Sequence, residues 1–191
     1  MPTKIQGGLG IDKVQDGTVG VSDVDTELYG KITALTTINL GEAKAASGTV
    51  VDFVGIPEGV KRITVMFDGV STNGTSNSLI QIGSASIEIT NYRSTVVGLF
   101  NTAAVTASIV TNGFGITVQT STTDVLTGSI TLDNITLNSW VCSGGLYKTP
   151  SNVLNTFGSK TLSGTLDCIR ITTVNGTDQF DAGTINISWE F

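Results

Sequence analysis

Beyond residue 36 apolar residues recur at every second position through most of the chain. A period of two places alternate side chains on opposite faces of an extended backbone, so each such run predicts a strand with one dry face. "TTINL" (36–40) alternates before "GEAKAASG" breaks the pattern. In "TVVDFVGIP" (49–57) Val51 and Phe53 oppose Val50, Asp52 and Val54, and Pro57 stops the run. "KRITVMFDGV" (61–70) sets Ile63, Val65 and Phe67 on one face, with Thr64 and Met66 on the other, which predicts a strand covered on both sides. "SLIQIGSASIEIT" (78–90) brings Ile80, Ile82, Ile87 and Ile89, with Gly83 as a bulge. "FGITVQTS" (114–121) alternates Phe114, Ile116 and Val118.

"GSITLDNITLNSWVCSG" (128–144) reads as a strand, a slip near Asp133-Asn134, and a second piece with Ile135, Leu137 and Trp140. "SKTLSGTLDCIRITTV" (159–174) sets Ile169 and Ile171 against Leu166, Cys168 and Arg170. The run "STVVGLFNTAAVTASIV" (94–110) is apolar with no clear period, and its β-branched content favours a pair of strands over a short helix. In "DAGTINISWEF" (181–191) Ile185, Ile187, Trp189 and Phe191 share one face. Burying four such side chains is worth roughly 6–10 kcal/mol of transfer free energy. Ordering the backbone costs a comparable amount. The segment therefore has to be hydrogen-bonded into a sheet, with Trp189 and Phe191 in the core or in a subunit interface.

Turn signals such as Asn73-Gly74 and Asn175-Gly176 separate the runs. Eight to ten strands at this spacing predict an all-β fold, an antiparallel β-sandwich of jelly-roll-like kind, over residues 34–191. "KRITVMFDGVSTNGT" and "IRITTVNGT" echo each other, which reads as shared strand–turn chemistry and not as a repeat. Residues 1–33 are Gly-rich, polar and weakly periodic. They predict a separate, extended and partly helical arm for attachment or oligomerisation. Within it "SDVDTELYG" would start a short helix at Ser22, with Asp25 at the capping-box position and Gly30 as its end.

Composition sharpens this picture. Only 14% of residues are charged, against 39% hydrophobic, and there are 23 Gly and 3 Pro. Thr, Ser, Asn and Gly fill the gap, as strands and turns require. The net charge of −6 repels phosphate backbones, and no Lys/Arg cluster overrides it, so nucleic acid is not an expected partner. No apolar run reaches the length of a membrane span, and the first twenty residues lack the apolar stretch of a secretory leader. Two cysteines, Cys142 and Cys168, are too few for a disulfide scaffold and are expected as buried thiols.

The chain contains no histidine, which removes His bases, His ligands and Ser-His or Cys-His pairs. Paired carboxylates could come only from Asp68, Asp124, Asp133, Asp167, Asp178 and Asp181, most of which sit in turn sequences where Asp bonds the backbone. No enzyme and no cofactor is expected. Asp23, Asp25 and Glu27, or Asn175, Asp178 and Asp181, offer oxygen ligands for Ca²⁺, but neither group matches a calcium-loop pattern. Sequons at Asn73, Asn134, Asn175 and Asn186 arise easily in so polar a chain. Trp140 is expected in the core. Tyr92 and Arg93, and Tyr147 and Lys148, sit beside turn signals and are the candidate contact residues for a surface partner.

"GTVVDFVGIPEGVKRITVMFDGVSTNGTSNSLIQIGS" and "LSGTLDCIRITTVNGTDQFDAGTINISWEF" resemble a domain of tailed-bacteriophage tail fibres, tail spikes and other virion structural proteins. "GGLGIDKVQDGTV" resembles the particle-proximal start of short phage fibres. The resemblance covers about residues 36–191 as the domain and 1–20 as the arm, and matches least over 91–160, the part that varies in such proteins. It implies a homotrimer in the virion, assembled in the host cytoplasm. The arm, with Ile5, Leu9, Ile11 and Val14, would anchor it to baseplate, tail or capsid proteins. Tyr92, Arg93 and the segment 143–158 would turn toward a host glycan or protein. The alternative is a capsid decoration or head-fibre protein that stabilises the particle and binds no host. A polysaccharide depolymerase would need a longer chain and an evident carboxylate pair.

Overall fold

In the computed structural model the described residues are 38–100 and 104–191. The expectations for residues 1–33, including the short helix, the anchoring residues Ile5, Leu9, Ile11 and Val14 and the acidic group Asp23, Asp25 and Glu27, lie outside them.

The described residues form fourteen strands and no helix. They are β1 (Asn39–Leu40), β2 (Lys44–Ala45), β3 (Val50–Val54), β4 (Arg62–Thr72), β5 (Ser78–Ser84), β6 (Ser86–Ile87) and β7 (Arg93–Leu99). Then come β8 (Val105–Val110), β9 (Phe114–Gly115), β10 (Leu126–Thr136), β11 (Ser139–Lys148), β12 (Asn152–Thr161), β13 (Cys168–Thr173) and β14 (Phe180–Glu190). Four are two-residue pieces, which carries the count above the eight to ten that periodicity marks.

The larger sheet runs β1-β14-β4-β10-β11-β12-β7-β8, with β2 also on β14, and the smaller runs β3-β13-β5-β6, with β9 also on β5. All pairings are antiparallel. The strands β10, β11 and β12 form an uninterrupted meander within the larger sheet.

One core lies between the sheets. The smaller contributes Val51, Phe53, Ile80, Ile82, Ile169 and Ile171. The larger contributes Ile63, Val65, Phe67, Ile130, Leu132, Trp140, Leu154, Ile185 and Ile187. This is the alternation of a sandwich, in which each strand gives one face to the interior. The last strand is held on both sides, by β4 and by β1 and β2. Trp189 and Phe191 pack against the core while remaining partly exposed.

Three local expectations change. Gly83 is not a bulge in one long strand. The chain reverses at Ala85 (φ 59°), so β6 folds back on β5, and a Cβ on Gly83 would collide with the Ser86 carbonyl oxygen. The Asp167 carboxylate accepts the Ala85 N–H and holds the reversal. The run 114–121 is a strand only at Phe114–Gly115; Ile116 N–H still reaches the Ser78 carbonyl beside β5. Third, 152–161 is a full strand that local pattern did not mark. Its inward side carries Asn152, Thr156 and Lys160 around a single Leu154, so the usual apolar rhythm is missing.

The two echoing Asn-Gly loops dock on each other. Asn73 and Gln179 exchange bonds of 2.9 Å, Ser76 N–H donates to Asp178 Oδ2 at 2.9 Å, and Asn175 N–H donates to Ser76 Oγ at 3.1 Å. Asn175 Oδ1 also accepts from Thr177 N–H and Asp178 N–H.

Candidate interaction surface

The outer face of the larger sheet divides into two halves of different chemistry. On β10, β4 and β14 the outward positions are mostly polar: Thr127, Ser129, Thr131 and Asp133, then Arg62 and Thr64, then Asn186, Ser188 and Glu190, with Met66 and, at the end of β10, the exposed Ile135 as exceptions. Arg62 pairs with Asp133 at 2.7 Å and lies 3.9 Å from Glu190. On β11, β12, β7 and β8 the outward side carries large apolar side chains, interspersed with Ser143, Asn155, Ser159 and Arg93.

Register sets these side chains in rows. Tyr147 lies opposite Val153, Val153 opposite Leu99, and Leu99 opposite Val105. Four residues along, Phe157 lies opposite Thr95 and Thr95 opposite Ile109. These six large side chains are each between 47% and 79% exposed. Cross-strand neighbours within a row stand about 5 Å apart, and the row Gly145, Asn155, Val97 and Ala107 lies between the two. Scattered exposed apolar residues are ordinary, whereas a contiguous patch marks an interaction site. The patch ends at β8, the last strand of its sheet.

A trough runs along β7. Its floor is Arg93 and then Thr95; Phe157 and Ser159 of β12 stand on one side, and Ile109 and Thr111 on the other. The small Thr95 between Phe157 and Ile109 makes the depression. It has a volume of about 480 Å³ and joins a more polar groove of about 750 Å³ lined by Asn91, Arg93, Thr111, Ser159 and Thr161.

The four expected contact residues divide evenly. Arg93 and Tyr147 are exposed on this outer face. Tyr92 and Lys148 are buried, which corrects their reading as contact residues. The reason is strand geometry: Tyr92 and Arg93 are chain neighbours, as are Tyr147 and Lys148, and neighbours in extended chain point to opposite faces. Tyr92 stands edge-on to Phe114 with centroids 5.0 Å apart, and its hydroxyl accepts from Ile82 N–H at 2.8 Å and lies 2.9 Å from the Glu88 carbonyl. Burial, joined by the nearby Glu88 carboxylate, raises its phenol well above the ordinary value. Lys148 donates to Asp124 Oδ2 at 2.7 Å and to Thr120 Oγ1 at 2.8 Å. Lys160 repeats the device one strand over, pairing with Glu88 at 2.5 Å. Periodicity did not mark Phe157, Ile109, Val153, Leu99 and Val105, although Val153 and Phe157 share one face of a strand and both fall in or beside the segment expected to face outward.

Of the six carboxylates weighed for catalysis, Asp68 is exposed and the other five are engaged structurally. Asp124 holds Lys148, Asp133 holds Arg62, Asp167 holds Ala85, Asp178 ties the two loops, and Asp181 accepts from Ser71 Oγ at 2.5 Å. Among the described residues no three His, Cys, Asp or Glu side chains gather closely enough to hold a metal, and no helix is long and apolar enough to cross a membrane. Cys142 and Cys168 are buried free thiols in opposite sheets. Burial raises both, Cys168 to about 12 with help from Asp167. No family model, curated protein or solved structure matches the chain.

Proposed function

We propose that the chain is a structural protein of a tailed-bacteriophage particle, a tail fibre or fibre tip that attaches the particle to the host surface as a non-enzymatic homotrimer anchored by residues 1–33. The observation that carries this reading is the apolar half of the outer sheet face. That face serves no core of its own among the described residues, yet it presents six large apolar side chains in register beside β8, the last strand of the described sheet. Stable display of such a surface suits a module whose task is contact with another surface. The resemblance of 48–84 and 162–191 to virion proteins names the setting. Many copies on one particle turn a weak contact into firm attachment through avidity.

The test is competition. Host cells incubated with excess purified protein should adsorb fewer particles. Unchanged adsorption favours the second reading, a capsid decoration or head-fibre protein. The same apolar rows support that reading, since they would be covered by a fixed neighbour on the particle.

A further inference from the structure

We propose that the trough along β7 is a binding site for an acidic sugar, with Arg93 as the carboxylate anchor and Phe157 as the platform for the ring. This rests on the attachment reading and names the class of ligand it would take.

Arg93 is the one arginine of the chain's three without an ion pair among the described residues: Arg62 pairs with Asp133, and Arg170 pairs with Asp52 through two bonds of 2.7 Å. It is exposed, and it lines both the apolar trough and the polar groove, as do Thr111 and Ser159. A planar guanidinium with no ion-pair partner among the described residues is suited to receive a carboxylate through two parallel bonds. The charge balance agrees: Lys44 and Lys61 also lack an ion pair among the described residues, but neither lines the trough or the groove. The chain carries −6 overall, so an anionic ligand is repelled except where a cation stands unneutralised. Lys160 lies just beneath the groove, but Glu88 already neutralises it.

The walls select a sugar. Phe157 is 56% exposed, and its ring offers a flat apolar surface next to the arginine row. Around it stand hydroxyls and an amide: Thr95, Ser159, Thr111, Thr161 and Asn91. These groups both donate and accept, as a sugar's hydroxyls require. A peptide is the poorer occupant. The main-chain groups of β7 are paired on both sides, to β12 and to β8, so the floor has no free backbone for a peptide's own amides. A peptide would add to the β8 edge instead. The trough is shallow, so a single site binds weakly and gains strength from copies.

The test uses the full-length protein in equilibrium titration. The probes are a trisaccharide ending in N-acetylneuraminic acid and an oligosaccharide containing glucuronic acid, each beside its carboxyl-reduced counterpart, with a hexaglutamate peptide as the alternative anion. Binding of at least one carboxylated sugar, with loss on reduction of the carboxyl, is expected. Arg93→Gln should weaken it by about tenfold or more, as loss of a charge-assisted pair does. Phe157→Ala should weaken it too, and Arg62→Gln, the same charge change on the polar half, should leave it unaltered. Unchanged melting of Arg93→Gln guards against a folding effect. The proposal is overturned if neither carboxylated sugar binds, if the reduced sugars bind equally, if Arg93→Gln matches wild type, or if only the peptide binds. The adsorption assay separates the two levels. Wild-type protein that blocks adsorption, with Arg93→Gln blocking equally, removes the sugar site and leaves attachment standing. Sugar binding without any block does the reverse.

Discussion

Lys148 and Asp124 form a buried ion pair, 2.7 Å from ammonium to carboxylate, on the inner side of the larger sheet. It sits where Phe100 also meets the ammonium, 5.1 Å from ring centroid to nitrogen. Asp124 further accepts Thr120 N–H and Ser121 N–H, so the pair fixes the loop ahead of β10 to the end of β11. An ion pair buried with its remaining bonds satisfied tolerates its desolvation cost, but losing one partner leaves a bare charge.

Acid should therefore loosen this corner. Burial pushes the Asp124 carboxyl up, but the Lys148 ammonium and the two N–H donors more than offset it, and the net value is lowered. Glu88, held by Lys160 and Ser163 against the same burial, is lowered as well. A carboxyl lowered on folding stabilises the protein in full above its unfolded value, about 4. That stability is lost as pH falls through the folded value. Urea melts at pH 7 and pH 3 should show a fall in stability that Asp124→Asn flattens. At pH 7 Asp124→Asn should itself cost about 3–5 kcal/mol, and Asp124→Leu with Lys148→Met should recover most of it.

Gly74 is fixed by the loop that faces it. A Cβ there would collide with the Asp178 carboxylate that receives Ser76 N–H. Gly74→Ala should destabilise by about 1–3 kcal/mol, read as a lower denaturation midpoint with unchanged slope. Asn175→Ala, which removes the oxygen that closes the opposite loop, should lower the midpoint in the same way.

Trp189 packs against the core yet keeps part of its surface in water. Trp189→Ala should cost about 2 kcal/mol, below the roughly 3–5 kcal/mol of a fully buried aromatic. A melting temperature equal to wild type would put the end of β14 off the core.

The apolar rows should do no work inside the fold. Val153→Thr combined with Val105→Thr should change stability by less than about 0.5 kcal/mol. The same pair should lower binding of a hydrophobic dye to the native protein. A large loss of stability would mean that these side chains support the sheet rather than face a partner.

Much of the architecture is readable from local pattern. β3, β4 and β14 lie where alternation puts them, each with a dry face and a wetter one, so β4 is not covered on both sides as its Met66 suggested; β13 lies in its predicted run with both faces largely buried. Trp140 is in the core, as a large aromatic on the inward side of β11 should be. β12 was hidden because its polarity is inverted: Lys160 faces inward and is neutralised by Glu88, 72 residues earlier in sequence, while Phe157 faces water. The same inversion hid the candidate site. Of its residues, Arg93 and Tyr147 were found through their neighbouring turns, and Phe157 and Ile109 were not.

By itself the sequence determined an all-β protein with a sheet-bound final strand, since a period of two and a wealth of turn residues leave extended chain as the one way to bury these side chains. Only the tertiary structure decided which strands are neighbours. Arg93 meets Ser159, and Phe157 faces Ile109 across Thr95, through pairings of distant segments. Those pairings depend on hydrogen-bond register between strands far apart in the chain, and register is settled when the sheets pack together, not by any one strand's own pattern.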